Sequence, residues 1–354
     1  MPPKFHCTGV RRKSVTTVTI RDVAKKAGVG VGTVSRVLNS STSVSENTRQ
    51  KVLDAITELK YTPNPAARRL SRGKTMVIGA IVPYFTNPSV VRRLQGVVSI
   101  IAESEYDLVL FDVEREEKRD DFLRNGPRRH MVDGLLLVSL NPGDNDVSQI
   151  IKEQIPTVLI DAYHKQLSRV IVDNVIGGYQ ATKHLIDLGH KKIGFISDYL
   201  ENPFNSPVRD RFRGYKNALA NASIPFNPDY HQQGSHGRSE AQQMAQTLLT
   251  LPDPPTAIFA YSDTQAVGIL ETAREMGIDV PGSLSVIGFD NIEAAEYLRI
   301  TTIRQALYES GVRGCKLLFE RMAAPLKPPV EISLPTKLML RDTTAPPKAV
   351  SDHS

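Results

Sequence analysis

Between Thr19 and Leu59 apolar residues recur at spacings of three and four, in three short runs. Ile20, Val23, Ala24 and Ala27 make one face of a first helix, with Thr19 as its N-cap, Asp22 at its third position and Gly28 ending it. A second helix is predicted from Val31 to Asn39, with Val34, Val37 and Leu38 facing inward. A third starts at Ser45, with Glu46 in its first turn, and runs through Val52, Leu53, Ile56 and Leu59 to about Tyr61 before Pro63 stops it. Three short helices with a glycine turn between the first two predict a helix-turn-helix unit. Asn64-Pro65 then opens a fourth helical piece, Ala66–Leu70, only about two turns long and marginal on its own. Ser71–Lys74 reads as a polar linker.

From Val77 to Leu340 the pattern changes to short apolar runs separated by amphipathic ones. Strands are expected at Val77–Val82, Leu108–Phe111, Gly134–Val138, Thr157–Ile160, Lys192–Ile196, Ala257–Ala260 and Leu284–Gly288. Helical patterns lie between them, for example Gly178–Leu188, Phe212–Asn221, Ser239–Leu249 and Thr264–Met276. Apolar strands alternating with helices predict parallel sheets covered on both faces, and this many strands predict two such subdomains. Residues 1–16 lack periodicity, and the polar, proline-bearing end from Thr343 is expected to fray.

Composition sharpens this division. Residues 1–75 hold 15 Lys and Arg against 4 Asp and Glu, whereas the rest of the 354 residues hold 29 against 34. A basic segment on a mildly acidic body is the electrostatic footprint of a nucleic-acid-binding headpiece. No run of eighteen apolar residues predicts a membrane span, and the basic N-terminus lacks the apolar stretch of a secretory signal. With only Cys7 and Cys315, no disulfide framework or cysteine-built zinc site is expected, and a reducing cytoplasm is the default. Gly28-Val-Gly-Val-Gly32 is not a dinucleotide loop, because it follows a helix and misses the required spacing. No G-x-S-x-G, H-E-x-x-H, Walker or C-x-x-C motif is present, so neither an enzyme nor a cofactor is expected.

The stretch Thr19-Ile-Arg-Asp-Val-Ala-Lys-Lys-Ala-Gly-Val-Gly-Val-Gly-Thr-Val-Ser-Arg-Val-Leu-Asn39 resembles the headpiece of the lactose-repressor (LacI/GalR) family of bacterial transcription regulators. Asn64–Leu70, Ile78–Pro83 with Asn87-Pro88, Val132-Asp133-Gly134, Val172-Asp173-Asn174, His184–Phe195, Arg211–Tyr215, Val286–Asp290 and Thr301–Gln305 carry the resemblance to residue 341. It implies a helix-turn-helix headpiece with a hinge helix, then a core of two Rossmann-like parallel-sheet lobes like those of periplasmic binding proteins. The expected division is a disordered basic tail (1–17), a DNA-binding domain (18–62), a hinge and linker (63–75), a two-lobed core (76–341) and a disordered tail (342–354). Within the core, one lobe takes about 76–173 and 304–334, and the other 174–303 and 335–341. The implied function is an effector-switched repressor, cytoplasmic and homodimeric, acting on a two-fold symmetric operator. No heptad segment follows the core to suggest a tetramer. The alternative is a sugar-binding protein without a regulatory role.

The second helix would then be the recognition helix. That places Val31, Gly32 and Thr33 near base edges and Arg36 one turn on, where it can pair bidentately with guanine. Thr19, Ser35, Asn39 and Thr48 are expected at phosphates, which position rather than specify. Glycine stands at positions 30 and 32 where most of the family carries serine and alanine or a longer side chain. Gly32 within the first turn costs about 0.5–1 kcal/mol relative to alanine and removes a base-reading side chain. In the hinge, the resemblance puts Asn64, Ala67 and Arg68 at the DNA, Ala67 letting paired helices pack, and makes Leu70 the wedge that kinks the minor groove.

A ligand in a two-lobed open-sheet core belongs at the carboxyl ends of the strands. Arg211 and Asp290 match the family's effector-pocket positions. Asp290 can accept from a sugar diol, and Arg211 can donate to oxygens or a carboxylate. Ser89-Val90 replaces an aromatic pair common in the family, Tyr84 an acidic residue, and Ser262 an asparagine. Losing that pair removes a stacking surface for a sugar ring, which Tyr84 and Phe85 are placed to replace. A sugar or sugar derivative is the expected effector. His164 and Tyr199 are further candidate pocket residues.

Overall fold

The computed structural model describes residues 18–38, 43–61, 74–113, 131–201 and 206–348. The described residues fall into two compact units, one up to Lys74 and one from Thr75.

In the first unit α1 (Ile20–Ala27), α2 (Val31–Leu38) and α3 (Glu46–Glu58) enclose a small core. Asp22 accepts from both the backbone N–H and the hydroxyl of Thr19, at 2.8 and 2.7 Å, which fixes the start of α1. Those bonds hold the Asp22 carboxyl below its ordinary range. Gly28 ends α1 at φ 66°, the left-handed conformation that glycine adopts without a side-chain penalty. Val23, Ala24, Val34, Val37, Val52 and Ala55 are buried together. These residues are small, which lets three short helices approach closely.

The second unit holds two six-stranded sheets. Strands β1 (Val77–Val82), β2 (Asp107–Asp112), β3 (Gly134–Val138), β4 (Thr157–Ile160) and β5 (Ser168–Val172) build the first, with α4 (Pro88–Ile101) and α5 (Asp144–Lys152) between them. After the crossover at Asp173, the second lobe begins with α6 (Asn174–Asp187), β6 (Ile193–Asp198) and α7 (Ser206–Asn221). It continues through β7 (His231–Gly234), α8 (Arg238–Leu249), β8 (Ala257–Ala260), α9 (Asp263–Glu275), β9 (Ser285–Asp290), α10 (Glu293–Tyr297) and β10 (Thr301–Arg304). The chain then returns to the first lobe as α11 (Leu307–Ala323) and β11 (Glu331–Leu334), and ends in the second sheet as β12 (Lys337–Met339). The orders are β11-β5-β4-β3-β1-β2 and β12-β10-β9-β8-β6-β7, all parallel except β12 against β10.

The seven strands expected from sequence are present, within two residues at each end. The pattern missed β5, β7, β10, β11 and β12. These are short, and β7 reads His-Gln-Gln-Gly, with no apolar side chain. The expected fraying after residue 342 is corrected for 342–348. Thr343 is buried, accepts from Val286 N at 2.7 Å through its carbonyl, and accepts from Thr301 N at 2.9 Å through its hydroxyl. Ala345 bonds Ser285 and His190. One threonine therefore satisfies backbone groups at the starts of β9 and β10, a role that composition does not reveal.

Candidate DNA-reading face and interlobe cleft

On α2 the inward residues Val34 and Val37 leave the opposite face to solvent. Val31 is 42 % exposed, Gly32 and Arg36 are exposed, and Thr33 and Ser35 are half-buried. Arg36 forms no ion pair among the described residues. Thr19 is exposed, and Thr48 is half-buried with its hydroxyl 2.9 Å from that of Ser45. A Cβ added at Gly30 or Gly32 would meet nothing within 4 Å. The glycines are therefore not required by packing. Asn39, Asn64, Ala67, Arg68 and Leu70 lie outside the described residues.

In the core, Tyr84, Ser89, Val90, Arg211, Ser262 and Asp290 line one cavity of about 60 Å³. They come from both lobes and, apart from Arg211 within α7, sit where strands end and helices begin. Ser89 and Val90 open α4, behind the Asn87 cap and Pro88. Ser262 caps α9, its hydroxyl accepting from Gln265 N at 3.3 Å. Asp290 ends β9 with φ 115°, and Ser139 and Asp161 follow β3 and β4 with φ 54°. With Tyr84 at φ 51°, left-handed backbone at four non-glycine residues round one cavity is local strain of the kind that collects at functional sites. His164 instead bonds Asp144 at 3.0 Å, and Tyr199 is 52 % exposed; neither lines the cavity, nor does Phe85.

Arg211 is 2 % exposed. Its guanidinium stacks on Phe289 at 3.6 Å, and it donates to Tyr261 O at 2.7 Å and to Asn174 Oδ1 at 2.9 Å. It stands 3.5 Å from Asp290. Helix packing holds it there: a Cβ on Gly178 of α6 would lie 2.3 Å from the Arg211 carbonyl, so only glycine permits this approach of α6 to α7. Burial pushes the Asp290 carboxyl up, while Arg211 foremost, then Gln305, Arg93 and His236, pull it back; the net direction is upward. Asp263, next to it and fully buried, is raised by burial and by Asp290, against hydrogen bonds from Thr302 and backbone amides.

Sequence reasoning missed Arg93, Asp161, Asp198, His236 and Gln305, which share the cavity wall. Arg93 had a signal. It occupies the buried face of α4 with Val90, Leu94 and Val97, where an apolar residue is expected. Asp198 accepts from His236 at 3.0 Å and from Gln265 at 2.9 Å. Burial pulls His236 down, but its hydrogen bond with Asp198 and the charges of Asp198 and Asp290 outweigh this, and its affinity for a proton is raised. Among the described residues no cluster of three His, Cys, Asp or Glu could hold a metal, and no helix is long and apolar enough to cross a membrane.

A small helix-turn-helix unit with a solvent-facing reading helix, joined to two parallel-sheet lobes around a polar cleft, defines a ligand-responsive DNA-binding protein. The description "Bacterial regulatory proteins, lacI family" matches residues 19–64, and "Periplasmic binding protein-like domain" matches 182–344. The HTH-type transcriptional repressor PurR of Photobacterium profundum is 37 % identical over 311 residues, 86 % of this chain and 92 % of that protein. The structure of the Lac repressor dimer bound to operator and the anti-inducer ONPF superposes with TM-score 0.81 at 26 % identity, covering 93 % of this chain and 100 % of that one. The transcriptional regulator CelR–cellobiose complex gives 0.67 at 30 %, covering 92 % and 99 %. The chain belongs to the LacI family of bacterial transcription regulators.

Proposed function

We propose that this protein is a cytoplasmic, homodimeric repressor that reads a pseudo-palindromic operator through α2 and releases or tightens its grip when a sugar enters the interlobe cleft. Val31, Gly32, Thr33 and Arg36 face base edges, while Thr19, Ser35, Asn39 and Thr48 position the helix on phosphates. Asn64, Ala67, Arg68 and Leu70 form the minor-groove hinge of each protomer. Exposed apolar side chains supply candidate dimer surfaces: Val91, Val98 and Tyr308 on the first lobe, Tyr297 and Leu298 on the second.

The observation that carries the effector assignment is the convergence of Tyr84, Ser89, Val90, Arg211, Ser262 and Asp290 on one cavity. Asp290 accepts sugar hydroxyls, Arg211 donates to ring or hydroxyl oxygens, and the hydroxyls of Tyr84, Ser89 and Ser262 complete the polar lining. The similarity to a regulator solved with cellobiose supports a sugar. A space of about 60 Å³ holds roughly two waters and is smaller than a usual ligand pocket of ~300–1,000 Å³. In this reading the lobes separate to admit the ligand. The ligand's differential affinity for the two arrangements is the free energy available to switch DNA binding, about 1–3 kcal/mol.

A thermal-shift screen of monosaccharides and disaccharides on the full chain tests this. At least one sugar is expected to raise the Tm, and Asp290→Ala to abolish that rise. A sugar response unchanged in Asp290→Ala would place the effector elsewhere.

A further inference from the structure

Six buried side chains at the cleft floor close into a ring of hydrogen bonds. Arg93 Nη2 donates to Asp161 Oδ2 at 2.5 Å and to Gln305 Oε1 at 2.9 Å. Gln305 Nε2 donates to Asp290 Oδ1 at 2.5 Å, and Arg211 Nη1 stands 3.5 Å from the same oxygen. Arg211 Nε donates to Asn174 Oδ1 at 2.9 Å, and Asn174 Nδ2 returns to Asp161 Oδ1 at 3.3 Å. None of the six is more than 7 % exposed.

The ring repeats the same chemistry in each lobe. Arg93 and Arg211 lie on the helices that follow β1 and β6, the first strands of the two lobes. Asp161 and Asp290 lie at the ends of β4 and β9, the fourth strands. The two linking amides stand where the chain crosses between lobes: Asn174 after β5 and Gln305 after β10. A side-chain amide is uncharged and has both a donor and an acceptor end. Asn174 thereby joins Arg211 of the second lobe to Asp161 of the first, and Gln305 joins Arg93 of the first to Asp290 of the second. A glycine contact sets each arginine: a Cβ on Gly311 would lie 2.0 Å from the Arg93 carbonyl, as one on Gly178 would press on that of Arg211.

The formal charges of the ring balance, with two guanidinium groups against two carboxylates. The neighbouring Asp198–His236 pair adds an acid and a base together. An anionic ligand finds no unpaired cation here, and displacing a carboxylate from its arginine would leave that carboxylate buried and alone. Hydroxyl groups can give hydrogens to carboxylate lone pairs and accept from N–H groups without moving charge. Arg93 keeps one buried donor, Nε, with no partner among the described residues.

We propose that Arg93 and Gln305 are positioning residues of this cleft. With Asn174 they close a charge-balanced ring that holds Asp161 and Asp290 as hydroxyl acceptors facing the ligand from opposite lobes. The cleft thereby takes an uncharged, polyhydroxylated effector and rejects its anionic derivatives. This rests on the sugar reading above and adds the first-lobe half of the site and the charge class of the ligand.

Two measurements on the full chain test it. The first is the thermal unfolding of Arg93→Met, Arg211→Met and the double variant. A ring opened once loses less when opened again, so the double variant's Tm loss should fall short of the summed single losses by a third or more. Additive losses would mean two independent ion pairs and overturn the ring. If an arginine variant does not fold, Gln305→Met and Asn174→Met repeat the cycle without removing charge. The second compares D-glucose, D-ribose and cellobiose with gluconate, ribose 5-phosphate and cellobionate as probes. A neutral probe should stabilise the wild type and bind at least tenfold more weakly to Gln305→Met. An acidic or phosphorylated probe binding as tightly as its neutral parent would overturn the charge class. A blank across both sets would overturn the neutral-sugar half together with the effector reading above, while the unfolding cycle still decides the ring.

Discussion

The headpiece and the two-lobed core place their chemistry in opposite ways. In the headpiece, six small buried Val and Ala side chains hold three helices, and Val31, Gly32 and Arg36 of the proposed reading face are exposed. In the core the charged residues of the cleft point inward, and Arg93, Arg211, Asp161 and Asp290 are all buried. An outward residue can be changed at the expense of binding alone. An inward charge is part of the fold, because removing its partner leaves it unsatisfied. Function and stability are therefore separable in the first region and fused in the second.

Glycine substitutions break this comparison most sharply. Gly178→Ala would push its Cβ to 2.3 Å from the Arg211 carbonyl. It should cost about 3 kcal/mol or more, a Tm fall of roughly 6–12 °C by calorimetry, and it should lower effector affinity by displacing Arg211. A Tm within a degree of wild type would show that α6 and α7 can yield. In the headpiece, Arg36→Ala should weaken operator binding about 10- to 100-fold and relax one base preference while leaving the melting of both units unchanged. Competition binding against single-base operator variants checks it.

A third prediction concerns pH. Burial lowers His231 to about 4, where it lies stacked on Phe212 at 4.4 Å between ring centroids. Its folded value is depressed below the unfolded one, near 6.5. Its contribution is therefore fully present above pH 6.5 and is lost as pH falls toward 4. On acidification the unfolding midpoint of wild type should fall further than that of His231→Phe. The smallest effect has the opposite sign to the first: Gly32→Ala, with open space around its Cβ, should stabilise the headpiece by about 0.5–1 kcal/mol in urea unfolding.

The same contrast explains what the sequence could reveal. The helices of the headpiece were legible because periodicity, the Thr19 start and Gly28 are local signals. The seven main strands were legible as apolar runs. The edge strands β7, β11 and β12 were not, because β7 has no apolar residue and β11 and β12 pair only with strands distant in sequence. In the cleft, Arg211 and Asp290 were reached through the family resemblance. Arg93, Asp161 and Gln305 were missed because their partners stand 68 or more positions away for Arg93, and on the other side of a lobe crossing for Gln305. Arg93 nevertheless breaks the apolar face of α4, a local anomaly that the sequence already displays. Thr343 escaped for the converse reason, since one hydroxyl in a proline-bearing tail carries no periodic signal at all.

The central claim is that an outward-facing headpiece grips duplex DNA under the control of a small molecule in the cleft. It is tested most directly by fluorescence anisotropy of the full chain on a duplex selected from a random pool, across a salt series, with and without a sugar that raises its Tm. The account predicts binding at least about 10³-fold tighter to the selected duplex than to random DNA, a steep log–log salt slope, and a shift of about 5- to 150-fold when the cleft is filled. A chain that selects no duplex at low salt, or whose affinity is the same with the cleft empty and filled, would contradict it.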